Sequence, residues 1–132
     1  MRSEGVRLRL TLPLPPSANT LYIKGSHIAL SEAHRAWREL CAFVCLAAGV
    51  KPTSLVVAVR IDIYRKRRLG DIDNRAKTIL DGLNGIAYED DKQVDWLLMR
   101  RYDDARWPRA VVSVWTRDRQ AKREPWQVVD AT

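Results

Sequence analysis

From Val6 to Leu12 the chain alternates Val6, Leu8, Leu10 and Leu12 with Arg7, Arg9 and Thr11. That is the period of a half-buried strand with a basic outer face. Pro13, Pro15 and Pro16 end it; the stretch from Pro15 to Thr20 predicts a rigid turn, and Leu21 to Leu30, around Lys24-Gly25, a short hairpin. Ser31 can cap the next segment, where Ala33, Ala36, Trp37, Leu40, Phe43, Val44 and Ala47 make one apolar stripe. The spacing predicts a helix over Ser31 to Ala48, stopped by Gly49 and Pro52. Leu55 to Tyr64 is apolar at nearly every position, which predicts an inner strand. Helical spacing returns at Ala76, Ile79, Leu80 and Leu83, with Asp73 as the N-cap and Gly85 as the stop. Val94 to Tyr102 and Arg109 to Thr116 read as two last strands, and Asp103 to Pro108 between them is compatible with a hairpin loop.

The order is therefore strand with hairpin, helix, strand, helix, strand, strand. It predicts an α/β or α+β layer domain, a mixed sheet with two helices packed on it. At 132 residues and 46% hydrophobic content, one domain over residues 1–116 can bury a full core, with a polar tail over 117–132. No apolar stretch is long enough to span a bilayer and no secretory signal is visible, so the expected location is cytoplasmic, without a membrane partner.

Charge changes the picture. A formal net charge of +7 suits a polyanionic partner, yet Gly70-Asp71-Ile72-Asp73-Asn74-Arg75-Ala76-Lys77 and Asp90-Asp91 form a small acidic island within it. If the chain before Asp73 is extended, Asp71 and Asp73 point to one face and Ile72 to the core. Lys77 then lies one helical turn beyond Asp73 on that face. Two carboxylates ~4 Å apart repel by about 1 kcal/mol in water but about 4 kcal/mol in a partly buried cleft, so converging acids need a counter-ion. The plainer alternatives are a turn with an N-cap, a surface ion pair, and a solvated acidic turn at Asp90 and Asp91.

Arg65, Lys66, Arg67 and Arg68 make the densest positive run and enter the acidic motif directly, which suits delivery of phosphates to it; Arg75 and Lys92 are further candidate DNA contacts. Arg100, Arg101, Arg106 and Arg109 would extend that footprint. Trp37, Trp96 and Trp115 read as core, and Tyr88 and Trp107 as the exposed aromatics. Cys41 and Cys45 read as small core residues and His27 and His34 as structural or surface groups.

Pro15-Pro16-Ser17-Ala18-Asn19, Gly70-Asp71-Ile72-Asp73-Asn74 with Lys77, and Asp90-Asp91-Lys92-Gln93-Val94 together resemble the RusA family of Holliday-junction resolvases of bacteria and their phages, over roughly residues 6 to 116. One departure is visible: Ala18 stands where the family often has the first of two asparagines. The resemblance implies a homodimeric, Mg²⁺-dependent endodeoxyribonuclease, with Mn²⁺ as a substitute ion. It would bind branched DNA and nick two strands of a four-way junction symmetrically in recombination and repair. It also implies that Asp71, Asp73, Lys77 and Asp91 are required for cleavage, with Asp90 as an auxiliary.

The expected chemistry is then a divalent ion on the hard oxygens of Asp71, Asp73 and Asp91, an activated water, and a lysine near the charge of the transition state. Two other readings are a DNA-binding module without catalysis and a small-nucleotide phosphohydrolase. The second lacks a phosphate-cradling Gly-rich loop.

Overall fold

The computed structural model describes residues 7–16, 22–23, 29–30, 32–66 and 75–117. In chain order these are strand β1 (Arg7–Leu12), the short strands β2 (Tyr22–Ile23) and β3 (Ala29–Leu30), helix α1 (Glu32–Ala47), strand β4 (Val57–Arg65), helix α2 (Ala76–Gly82), a 3₁₀ turn (Asp91–Gln93), and strands β5 (Val94–Asp103) and β6 (Arg109–Thr116). The expected hairpin of β2 with β3 is present as an antiparallel pair. The other four strands make one mixed sheet in the order β1-β6-β4-β5. This is the α+β arrangement that the alternation of elements predicts.

The last two strands differ from the expectation. β5 runs parallel to β4, β6 runs antiparallel to β4, and β4 lies between them, so Asp103 to Pro108 is no hairpin loop. The reason is β4 itself: buried at almost every position, it needs hydrogen-bonding neighbours on both edges. The connection arches over the end of β4, where the Asp104 N–H donates to the Arg65 carbonyl at 2.7 Å.

Alternate residues of the sheet build the core. Leu10 and Leu12 of β1, Val57, Val59, Ile61 and Ile63 of β4, and Ala110, Val112 and Val114 of β6 join Trp37, Cys41 and Cys45 of α1 and Ile79 of α2 in one cluster. Cys41 and Cys45 are free and buried, as their reading as core residues requires. On the opposite face of the sheet Ala58 and Trp115 form a smaller cluster with Trp96 and Leu98.

Helix α1 is rotated from the expected stripe. His34, Trp37, Cys41 and Cys45 face the core, while Leu40, Phe43 and Leu46 are exposed, Phe43 at 68%. Its apolar residues cover more than half of its circumference, so spacing alone admits two overlapping faces. The indole selects between them, because Trp37 Nε1 can donate to the Pro13 carbonyl at 2.9 Å only from the observed one. Among the described residues no helix is long and apolar enough to cross a membrane.

Candidate active site

Helix α2 is short, and what it carries is placed by its ends. It begins at Ala76 with Arg75 in the cap position and no side-chain cap bond, which corrects the expectation of Asp73 as N-cap. Arg75 instead donates from Nε to the Pro15 carbonyl at 3.0 Å, tying the helix start to the proline segment after β1. Burial, and then the charge of Arg65, push the Arg75 pKa down. At the other end Gly82 lies against Trp37, where a Cβ would stand 2.5 Å from the ring carbon Cζ3. Only a residue without a side chain lets α2 approach α1 this closely.

That approach brings charges together. Lys77 and Asp81, one turn apart, form an ion pair at 3.0 Å between Nζ and Oδ2, and the Arg38 guanidinium of α1 reaches the same oxygen at 3.8 Å. Asp81 is mostly shielded, with a side chain 17% exposed, whereas Lys77 is 60% exposed. An exposed i, i+4 pair contributes only a few tenths of a kcal/mol, so its interest is positional.

Asp91 arrives at this cluster through a turn that the sequence builds from its neighbours. Asp90 Oδ1 accepts from the Lys92 N–H at 2.9 Å, and Gln93 Oε1 accepts from the N–H groups of Glu89 and Asp90 at 2.9 and 2.8 Å. The Gln93 amide donates in turn to the carbonyls of Thr53 and Leu55 at 2.7 and 2.8 Å. Asp90 is therefore engaged as the cap of the turn, and Asp91 is the acid left to face α2. Partial burial, hydrogen bonds to the carboxyls of Asp90 and Asp81 and their negative charge raise the Asp91 pKa above the usual carboxylate range. Beneath them Tyr88 is fully buried, which corrects its reading as an exposed aromatic. Burial and the nearby acids push its phenol up, and the neutral hydroxyl donates to the Leu80 carbonyl at 2.7 Å.

Asp81 is thus the common neighbour of Lys77, which pairs with it, and of Asp91, whose pKa it helps to raise. Asp71, Asp73, Arg67 and Arg68 lie outside the described residues. Lys66 and Lys92 are exposed. Arg65 is not in a solvated loop: it is the last residue of β4 and 5% exposed, because strand pairing continues one position past the expected end. Arg117, assigned to the tail, belongs to the folded body, with its N–H on the Val56 carbonyl and its guanidinium 3.9 Å from the Trp96 ring. Among the described residues no three His, Cys, Asp or Glu side chains converge as a metal site. The Asp91 carboxyl, raised in pKa beside the acids Asp90 and Asp81, is a hard-oxygen donor of the kind that suits a divalent ion.

Sequence reasoning missed Asp81 and Gln93. The i, i+4 spacing of Lys77 and Asp81 and the capping-box spacing of Asp90 and Gln93 were readable signals; the two bonds from the Gln93 amide to Thr53 and Leu55, far away in the chain, were not. Gln93→Ala should cost about 1–2 kcal/mol, since each net hydrogen bond contributes about 1 kcal/mol or less where water can replace it. Chemical denaturation measures the loss. DNA cleavage should fall with it, because Asp91 loses its support, and an unaltered denaturation midpoint would mean that the turn holds itself.

No curated protein is matched by the sequence. A family model does match, over residues 13–115, and its description is Endodeoxyribonuclease RusA. The matched span starts at the proline segment that anchors Arg75, takes in Arg38, Lys77, Asp81, Asp91 and Gln93, and ends in β6. This chain belongs to the RusA family of endodeoxyribonucleases, whose function is Holliday-junction resolution.

Proposed function

We propose that the protein is a Mg²⁺-dependent endonuclease that, as a homodimer, resolves four-way DNA junctions by paired symmetric nicks during recombination and repair. One observation supports the reading beyond family membership: Asp91 lies beside Asp81, the acid that holds the Lys77 ammonium, so a carboxyl raised in pKa by its neighbours and an exposed lysine share one neighbourhood. Asp81 is paired with Lys77 and Arg38, whereas Asp91 is pressed by its acidic neighbours, and an acid so placed suits a site that a cation completes.

Asp91, with Asp71 and Asp73, would hold the ion, and Mn²⁺ would replace Mg²⁺ on the same oxygens. When bound, a divalent ion there supplies Lewis acidity toward a phosphodiester and lowers the pKa of a water. The remaining work falls to the chain. Asp81 keeps the Lys77 ammonium close to Asp91, so that its charge is available to a phosphate whose negative charge grows as the reaction proceeds. Asp90 and Gln93 fix the direction of Asp91. Lys66 and Lys92, with Arg67 and Arg68, supply charge for the DNA backbone. A second copy is supported by the exposed apolar strip Leu40, Phe43 and Leu46 along α1, and two-fold symmetry would set one site on each of two opposed strands.

The test is a synthetic four-way junction incubated with the protein with and without Mg²⁺ or Mn²⁺. Binding without metal and paired nicks with it are expected. A mobility shift with no cleavage under any divalent ion would leave a DNA-binding module instead, and turnover of free nucleotides with no preference for branched DNA would leave a phosphohydrolase.

A further inference from the structure

The connection between β5 and β6 is built rather than slack. Asp104 Oδ1 accepts from the N–H groups of Arg106 and Trp107 at 3.1 and 3.2 Å, while Asp104 Oδ2 pairs with Arg109 Nη1 at 2.9 Å. The same Nη1 donates to the Trp107 carbonyl at 2.9 Å. The Arg109 guanidinium lies between two rings, 4.2 Å from the centroid of Trp107 and 3.8 Å from that of Tyr64. Tyr64 in turn stacks on Tyr102, with centroids 4.8 Å apart and planes 19° from parallel. The result is a column of four planar groups rising from the sheet, with Trp107 outermost and 58% exposed.

An indole is among the most costly side chains to leave in water, and a loop with this many internal bonds holds it there instead of letting it fold back. Its surroundings select the ligand. Lys66, Arg100 and Arg106 are exposed at this end of the sheet, Arg100 on the same face of β5 as Tyr102, and Asp104 is engaged with Arg109. A flat apolar face at a basic end of the sheet fits a base whose own phosphates flank it. Regular duplex offers no free base face, whereas the branch of a junction does.

We propose that Trp107 is a base-stacking residue, receiving an unstacked nucleobase at the branch point of the DNA on the outer face of the Trp107–Arg109–Tyr64–Tyr102 column. The inference rests on the junction-binding reading above and adds to it a contact that charge alone does not supply.

The experiment compares Trp107→Ala and Trp107→Phe with the unaltered protein, by fluorescence anisotropy in metal-free buffer, on a four-way junction and on a continuous duplex of equal length. Stacking is worth about 1–3 kcal/mol per base, so Trp107→Ala should weaken junction binding about tenfold or more. Duplex binding should stay nearly unaltered, and Trp107→Phe should recover most of the loss. The slope of log K against log salt should not move, since no phosphate contact is removed. A 2-aminopurine placed at the branch should be quenched by the unaltered protein and not by Trp107→Ala; this readout on the unaltered protein holds even if a variant folds poorly. Full junction affinity in a folded Trp107→Ala, an equal loss on duplex, or an unquenched 2-aminopurine at every branch position would each overturn the proposal. Junction binding that never leads to nicking would remove the nuclease reading and leave the stacking contact standing; nicking with Trp107→Ala unimpaired would do the reverse.

Discussion

Asp91→Asn is expected to lower junction cleavage by about a thousandfold or more, while the melting temperature of the metal-free protein goes up. The first effect follows from the share of a metal-assisted barrier carried by ion binding: several kcal/mol, and each 1.36 kcal/mol is a factor of about ten in rate. The second follows from the raised pKa of Asp91. A carboxyl whose pKa is higher in the folded than in the unfolded chain binds its proton more tightly when folded. Its contribution to stability is then fully present below the unfolded pKa, about 3.9, and is lost as pH rises through the elevated folded value. At neutral pH the ionised group is a cost, from partial burial and from the nearness of Asp90 and Asp81, and asparagine removes the charge while keeping the shape. The melting-temperature difference between the two proteins should grow from acid to neutral pH and then level off. Added Mg²⁺ should raise the melting temperature of the unaltered protein more than that of the variant. A variant less stable than its parent at every pH would make Asp91 a structural acid, and cleavage would then fall only through loss of fold.

How much of this was legible in the sequence depends on the range over which each signal acts. Alternation in β1, continuous apolarity in β4 and the apolar last strands were readable because each reports one segment's own burial. Strand order was not, since the placement of β4 between β5 and β6 is decided by two edges competing for partners, a property of no single segment. The rotation of α1 was invisible for a related reason: the apolar stripe through Leu40 and Phe43 is as good a helix face as the one through His34 and Cys41 until the Trp37 indole finds the Pro13 carbonyl. At the site, a return of the acidic turn toward the helix that carries Lys77 was expected from the order of elements, but the residue that Lys77 pairs with there, Asp81, was not. Asp81 was passed over because a lone carboxylate near the end of a helix resembles any solvated residue until Arg38 and Asp91 stand beside it.

That dependence of the site on helix packing leads to Trp37. The indole fills the space between α1 and the end of α2, closes on Gly82 and anchors on Pro13, and Arg38 is the next residue along. Trp37→Ala should cost about 3–5 kcal/mol, the usual range for deleting a large core aromatic, out of a total of about 5–15 kcal/mol for a domain. Gly82 allows the cause to be isolated. In the unaltered protein Gly82→Ala puts a methyl 2.5 Å from a Trp37 ring carbon, and overpacking of this kind costs about 1–3 kcal/mol, more than the gain of at most ~1 kcal/mol from helix propensity. In the Trp37→Ala background the obstructing ring is gone and only the propensity gain remains. The same substitution should therefore change sign, destabilising beside tryptophan and stabilising beside alanine. Denaturant unfolding of the four proteins measures the coupling directly. Equal effects of Gly82→Ala in the two backgrounds would mean that α2 is held against α1 by something other than this contact, and the placement of Asp81 beside Arg38 would then need another cause.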